Sequence, residues 1–266
     1  MGQAVRVGGS AWSALADLVL PRTCAGCGLP GHLLCRRCAA LLARPHLATP
    51  RRFPEGFPPT VAAGAYDGPV RPAVLAFKER GRAELAHPLG TALALAVAAV
   101  ASAVPGPPAE VLLVPVPSSA AALRTRGRDH VRELAGRAVG ELRAAGLPAS
   151  QRRLLRRHGR VRDSAELSAG QRRANLAGTF ALTPGADAGG ALLVLVDDVV
   201  TSGATLTEAA SVLAALARPG GAPVLGAVVA ATPREYSRTR SAAFPKASAG
   251  PSGDRADRLS GRWPRD

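Results

Sequence analysis

At 266 residues the chain is long enough for one large domain, or for one domain with small appendages. It is 47% hydrophobic but only 3% aromatic, so its core must be built mainly from Ala, Leu and Val. A formal net charge of +15 favours polyanionic partners, although an Arg- and Ala-rich composition, in which Lys78 and Lys246 are the only lysines, accounts for part of that excess. The longest apolar stretch, Thr91–Val104, falls short of the roughly 18 residues that span a bilayer. The apolar run near Ala14–Leu20 is broken by Asp17 and followed by Pro21 and Arg22. Neither membrane insertion nor a secretory signal is expected, and the chain reads as cytoplasmic.

Residues 1–59 are loop-rich and carry all four cysteines, as Cys24-Ala-Gly-Cys27 and Cys35-Arg-Arg-Cys38. Two C-x-x-C pairs suit four thiolates around a tetrahedral Zn²⁺. A reducing compartment disfavours two disulfides, and a redox C-x-x-C needs only one pair. With four protein ligands no position is left open, so such a zinc is structural. The overlapping Gly26-x-Gly28-x-x-Gly31 is not a dinucleotide fingerprint: it interrupts the cysteines, holds Pro30 and lacks a preceding strand.

Residues 60–233 alternate strand-like and helix-like patterns. Val61–Tyr66 reads as a strand, Pro69–Phe77 as a short helix and Leu85–Val104 as a long one. Glu110–Val114 is a strand cut off by Pro115 and Pro117, and His130–Ala145 an amphipathic helix ending at Gly146-Leu147-Pro148. Leu154–Arg157 is a short strand, Ser168–Ala177 a helix capped by Ser168, and Thr179–Leu182 a strand. Leu192–Val196 is a fully apolar strand, Ala204–Ala217 a helix and Val224–Ala230 a final strand. Apolar strands alternating with helices predict an α/β fold with a parallel sheet covered on both faces. Residues 234–266, rich in Ser, Arg, Pro and Gly, are expected to form a disordered basic tail.

Function concentrates in the run Leu193-Val-Leu-Val-Asp197-Asp198-Val-Val-Thr201-Ser202-Gly203-Ala204-Thr205. Charges following a buried strand are expected at its end, within reach of water or ligand, because unpaired burial is costly. There two adjacent carboxylates can accept hydrogen bonds from neighbouring hydroxyls, as on a ribose. Thr201–Thr205 offers backbone N–H groups, hydroxyls and a helix N-terminus to an anion, with Gly203 permitting a backbone that a side chain would block. An ordinary turn with Asp198 or Thr201 as N-cap is the plainer alternative.

Other charged loops are less specific. Pro117 and Ser118 lie in a proline-restricted loop before Arg124, Arg126 and Arg128, whose guanidinium groups suit a polyanion or plain solvation. Lys78 is either a compact point charge for a ligand or a surface lysine at a helix end. Arg152–Arg173 is densely basic, either a flap over the site or a nucleic-acid track, though it lacks the interleaved aromatics of a single-strand stacking platform.

The acidic run resembles the phosphoribosyl-pyrophosphate (PRPP) motif of type I phosphoribosyltransferases, with Ser202 where a second Thr is usual. The wider order resembles the ComF (ComFC/GntX-like) family, over about Pro21 to Pro233. It is carried by the cysteine pairs, Gly64-Ala-Tyr66-Asp-Gly68, Phe77-Lys78, Pro115-Val-Pro117, Arg126-Gly-Arg128 and Arg172-Arg-Ala-Asn175-Leu-Ala-Gly178-Thr-Phe180. The family reads R-G-F-N-Q where this chain has Arg126-Gly-Arg128-Asp129-His130, and often Gln where Ser164 stands. The resemblance implies a type I phosphoribosyltransferase-like sheet flanked by helices behind a small N-terminal Cys₄ zinc module. It implies that Asp197 and Asp198 hold the ribose hydroxyls and Thr201, Ser202, Gly203, Ala204 and Thr205 the 5′-phosphate. Lys78, Pro117, Ser118, Arg126 and Arg128 would lie on the pyrophosphate side, with Mg²⁺ accompanying PRPP. It further implies a glycosyltransferase with an unidentified acceptor, linked to DNA uptake in competent bacteria or to nucleotide metabolism. The alternative is a non-catalytic nucleotide- and single-stranded-DNA-binding adaptor that meets a DNA-uptake helicase.

Overall fold

Apolar runs such as Val111–Val114 and Leu192–Val196 have no polar face to give to water, so they need cover on both sides. In the computed structural model, which describes residues 23–50, 54–158, 178–217 and 220–233, they receive it. All of these belong to one compact unit. Strand β1 (His46–Leu47) runs antiparallel to β2 (Thr60–Ala65) at one edge. Strands β3 (Val111–Pro115), β4 (Ala149–Gln151), β7 (Leu192–Val200) and β8 (Leu225–Ala231) complete a six-stranded sheet in the order β1-β2-β8-β7-β3-β4, parallel from β2 onward. A separate hairpin pairs β5 (Leu155–Arg157) with β6 (Phe180–Leu182). The fold is thus α/β with a mostly parallel sheet flanked by helices.

Among the described residues the α-helices are α1 (Arg36–Ala40), α2 (Val70–Glu79), α3 (Ala86–Ser102), α4 (Ala120–Arg126), α5 (His130–Ala144) and α6 (Ala204–Leu213). One face of the sheet packs under α2, α3 and α5, with Phe77, Leu89, Leu93, Leu134, Val194 and Val196 in a single core cluster. The other face packs Leu112, Val114, Leu193 and Leu195 against Leu206 and Leu213 of α6 and Phe180 of β6. The stretch Ala83–Ser102 is long and apolar enough to cross a membrane, contrary to the shorter apolar length read from the sequence. Most of it is buried, with Leu89, Leu93 and Val97 fully inside, so protein already occupies its apolar surface, as in the core helix of a soluble domain.

Three features depart from the sequence expectation. Strand β7 does not stop at Val196; it runs through both acids to Val200, in register with β8 as far as Ala231. The first helical cap after it is Gly203, not Asp198 or Thr201. The basic stretch after Ser119 is a helix, α4, whose N-cap Ser119 accepts a hydrogen bond from the Ala122 N–H and whose C-cap Gly127 has φ 68°. The expected helix at Ser168–Ala177, the basic run beyond His158 and the tail 234–266 lie outside the described residues.

Candidate functional site

The topology singles out one crevice. From β3 the sheet grows outward to β4, and from β7 it grows the opposite way to β8. The gap between β3 and β7 is therefore the point where strand order reverses, and ligands of open parallel sheets bind outside the carboxyl ends there. Pairing between β3 and β7 ends at Pro115 opposite Val196, whereas β7 continues beside β8 for four more residues. Beyond Val196, the β7 edge that faces β3 has left the ladder. Asp197 and Asp198 stand on that stretch.

Successive strand residues point to opposite faces, and the two acids do so with different consequences. Asp198 is 2% exposed. Its Oδ2 lies 2.9 Å from Lys78 Nζ, at the end of α2, and 3.1 Å from His130 Nε2, at the start of α5. Its Oδ1 accepts from the Val199 N–H at 2.7 Å. Burial alone would raise its pKa, but the His130 hydrogen bond and the Lys78 charge outweigh it and hold the carboxyl well below the ordinary carboxylate range. Lys78 answers in kind: burial works against the ammonium, and Asp198 more than offsets it, so its pKa lies above the usual value. Asp197 is half-buried and accepts, through Oδ1, the Asp198 N–H at 2.8 Å. Burial first, and the Asp198 charge second, push its pKa up to about 8. The acids thus do not both sit at an open strand end, as the sequence suggested: the longer strand carries Asp198 into the interior, where Lys78 and His130 make its burial tolerable.

The Thr201–Gly203 bend connects β7 directly to α6. Gly203 has φ 79°, and a Cβ there would sit 2.8 Å from Phe57 Cδ2 and 3.1 Å from Pro50 Cγ, so glycine is required for both conformation and space. No side chain caps α6 in the ordinary way; the Ala204 N–H meets only Ser202 Oγ, at 3.5 Å. The first-turn N–H groups, with the hydroxyls of Thr201, Ser202 and Thr205 in the same segment, form an anion-attracting end to the helix.

The residues expected on the pyrophosphate side divide. Arg126 is committed to Glu79, donating from Nε and Nη2 at 3.1 and 3.0 Å. Arg128 stacks over the Phe77 ring, 4.2 Å from its centroid, and donates to Glu133 and to the Phe77 carbonyl. Pro117 and Ser118 line a cavity of about 260 Å³ with Asp129, Arg132, Arg153, Arg156 and Arg157. Ser118 Oγ lies 3.5 Å from Asp129 Oδ1. Arg157, on β5, donates from Nε to the Pro117 carbonyl at 3.1 Å and stacks over Phe180 at 4.8 Å. Burial lowers its pKa and the Asp197 charge partly restores it. His130 and Arg157 were not singled out from the sequence as site residues. Each meets the acids only through tertiary contact, and the signal for Arg157 was hidden among its neighbouring arginines.

Apart from this crevice, Cys24, Cys27, Cys35 and Cys38 bring their Sγ atoms within 4.8 Å of one another. Zinc–sulfur bonds of about 2.3 Å separate tetrahedral sulfurs by about 3.8 Å, so four clustered cysteines at this spacing could hold a structural metal such as zinc. The Cys35 N–H donates to Cys24 Sγ at 3.3 Å. Burial opposes ionisation of Cys24, but backbone donors from Cys35, Cys27 and Gly26 overcome it and bring the thiol down to about 6. Cys38 moves the other way, pushed up by burial and then by its sulfur neighbours. Four thiolates this close repel without a cation among them. No protein-family model matches the chain, and no curated protein matches its sequence.

Proposed function

We propose that the protein is a type I phosphoribosyltransferase-like, ComF-type protein that binds PRPP with Mg²⁺ in the β3–β7 crevice. The observation that carries this reading is the passage of β7 through Asp197 and Asp198 into the uncapped N-terminus of α6, at the point where strand order reverses. In this reading the 5′-phosphate takes the N–H groups of Ala204 and Thr205 and the hydroxyls of Thr201 and Ser202. The ribose lies against the acidic stretch, and the pyrophosphate extends toward Ser118 and Arg157. Mg²⁺, when bound with PRPP, neutralises the pyrophosphate and keeps several waters. Departure of pyrophosphate leaves positive charge at C1 of the ribose, which the nearby carboxylate charge stabilises. The Cys₄ cluster holds Zn²⁺ as a structural ion, consistent with a reducing, cytoplasmic setting.

Calorimetry with PRPP and Mg²⁺ tests the assignment. Binding by the wild type that is lost in the doubly substituted Asp197→Asn/Asp198→Asn chain supports it; equal binding by both sinks it. Pyrophosphate release on adding candidate nucleobases separates a transferase from a binder. The arginines that surround the 260 Å³ cavity, opposed there only by Asp129, favour a second reading as a nucleotide- and single-stranded-DNA-binding adaptor in DNA uptake. No single-strand binding at low salt would exclude direct DNA contact.

A further inference from the structure

The four cysteines are not equivalent. Cys24, Cys35 and Cys38 are 3%, 6% and 2% exposed, whereas Cys27 lies open to solvent. Local structure gives the reason. The Cys24 N–H donates to the Leu29 carbonyl at 2.8 Å, and the Gly28 N–H returns to the Cys24 carbonyl at 2.9 Å. The turn so formed closes over Cys24 and carries Cys27 outward. Gly28, with φ 80°, lets the chain double back there. Cys38 sits within α1, and a Cβ on Gly26 would come 2.9 Å from its Sγ, so that thiol is packed in from behind. Cys24 Sγ is held by the Cys35 N–H at 3.3 Å. Across the cluster, Cys27 Sγ and Cys35 Sγ lie 3.6 Å apart, which is direct sulfur–sulfur contact. A disulfide of about 2.05 Å requires them to close by roughly 1.5 Å. Cys27 stands on an exposed turn, where that movement disturbs no buried packing.

We propose that Cys27 is an oxidation site, at which hydrogen peroxide converts Cys27 and Cys35 to a disulfide and releases the metal. The metal half rests on the zinc reading above; the thiol pairing does not. The Cys27 thiolate attacks one peroxide oxygen. An S–O bond forms, the O–O bond breaks, and the departing hydroxide takes up a proton and leaves as water. The Cys35 thiolate then attacks the Cys27 sulfur. An S–S bond forms, the S–O bond breaks, and the second hydroxide takes up a proton and leaves as water. The two sulfurs supply the two electrons that reduce the peroxide, and zinc keeps its valence throughout. Cys24 and Cys38 are then the only thiolates left, too few for a closed tetrahedral site. A dithiol reductant reverses the step by exchange at the exposed Cys27 sulfur. Metal occupancy in the N-terminal module thereby responds to oxidant.

The zinc-loaded full-length chain, treated with about one equivalent of hydrogen peroxide, tests this. A chromophoric chelator reads the released zinc, dimedone traps the sulfenic acid, and peptide mapping locates the disulfide. Dimedone is expected on Cys27 about tenfold or more above any other cysteine, following its exposure. The expected crosslink is Cys27–Cys35, formed in step with zinc release, and dithiothreitol with fresh zinc restores the starting state. Dimedone chiefly on a buried cysteine, or a first crosslink within either C-x-x-C pair, overturns the proposal. So does zinc release without a crosslink, and so do thiols that stay reduced. If the purified chain carries no zinc, the metal assignment falls, and the same mapping on the metal-free chain judges the pairing. There a Cys27–Cys35 crosslink upholds the oxidation site, and any other first crosslink refutes it.

Discussion

Gly203→Ala probes whether the bend between β7 and α6 is fixed by packing as well as by backbone conformation. The φ of 79° costs an L-residue about 1–2 kcal/mol. The new Cβ would also lie 2.8 and 2.9 Å from two ring carbons of Phe57 and 3.1 Å from Pro50. Phe57 is a buried ring, so it cannot swing into solvent without exposing apolar surface, and overpacking of this kind costs about 1–3 kcal/mol. The sum, about 2–5 kcal/mol, corresponds to a fall of about 4–20 °C in melting temperature for a domain of this size. Gly185→Ala is the control. It has φ 68° but nothing within 4 Å of the added carbon, so it carries only the conformational cost. Thermal unfolding of both variants by circular dichroism decides the matter. If Gly203→Ala melts no lower than Gly185→Ala, the contact with Phe57 and Pro50 does not constrain the bend.

Asp197, with its pKa raised to about 8 beside Asp198, Lys78 and Arg157, binds a proton in the folded state that the unfolded chain releases above about 4. Its contribution therefore makes stability fall as pH rises from about 4 to 8; urea melts at both ends of the range show it, and Asp197→Asn abolishes it. Asp198 acts in the opposite sense: its stabilisation is present above the ordinary carboxylate value and is lost only as pH falls through its depressed folded value. Arg126→Ala breaks a partly exposed pair with Glu79 and costs about 1 kcal/mol; a tenfold loss of PRPP affinity without change in melting temperature would show that Arg126 leaves Glu79 for the ligand. Elemental analysis is expected to find one zinc per chain, and its removal by a chelator to lower the melting temperature, since a site filled a thousandfold above its Kd contributes about 4 kcal/mol; a chain with well under one zinc rejects the metal assignment.

The strands that consist of uninterrupted apolar residues were legible. The runs at Val61, Glu110 and Val224 locate β2, β3 and β8 to within a residue at each end, because burial on both faces leaves no other composition. Strand β7 was cut short for the same reason: Asp197 and Asp198 break the apolar pattern, and nothing local reveals that Lys78 and His130 wait to receive one of them. His130 is 68 residues from Asp198, and only the docking of α5 on the sheet brings them together. Strands β1 and β4, two and three residues long, carry too few side chains to show a period. Helix α4 was hidden by its arginines, although Ser119 and Gly127 are the cap residues such a helix uses. The cysteine cluster was legible because the spacing that lets four thiols meet is a local constraint.

The placement of β1 gives the cysteine module a second role. The chain leaves α1 and lays His46–Leu47 along β2, the Arg44 N–H donates to the Ala63 carbonyl, and Gly64 leaves room for the Leu41 carbonyl against the strand. Among the described residues, this short segment is what pairs with the outer backbone of β2. If metal loss loosened the module, a row of unpaired amides and carbonyls flanked by apolar side chains would be uncovered, a template for edge-to-edge association. Demetallation is then expected to appear first as concentration-dependent aggregation, visible by light scattering below the melting temperature, before the crevice some distance along the sheet is disturbed.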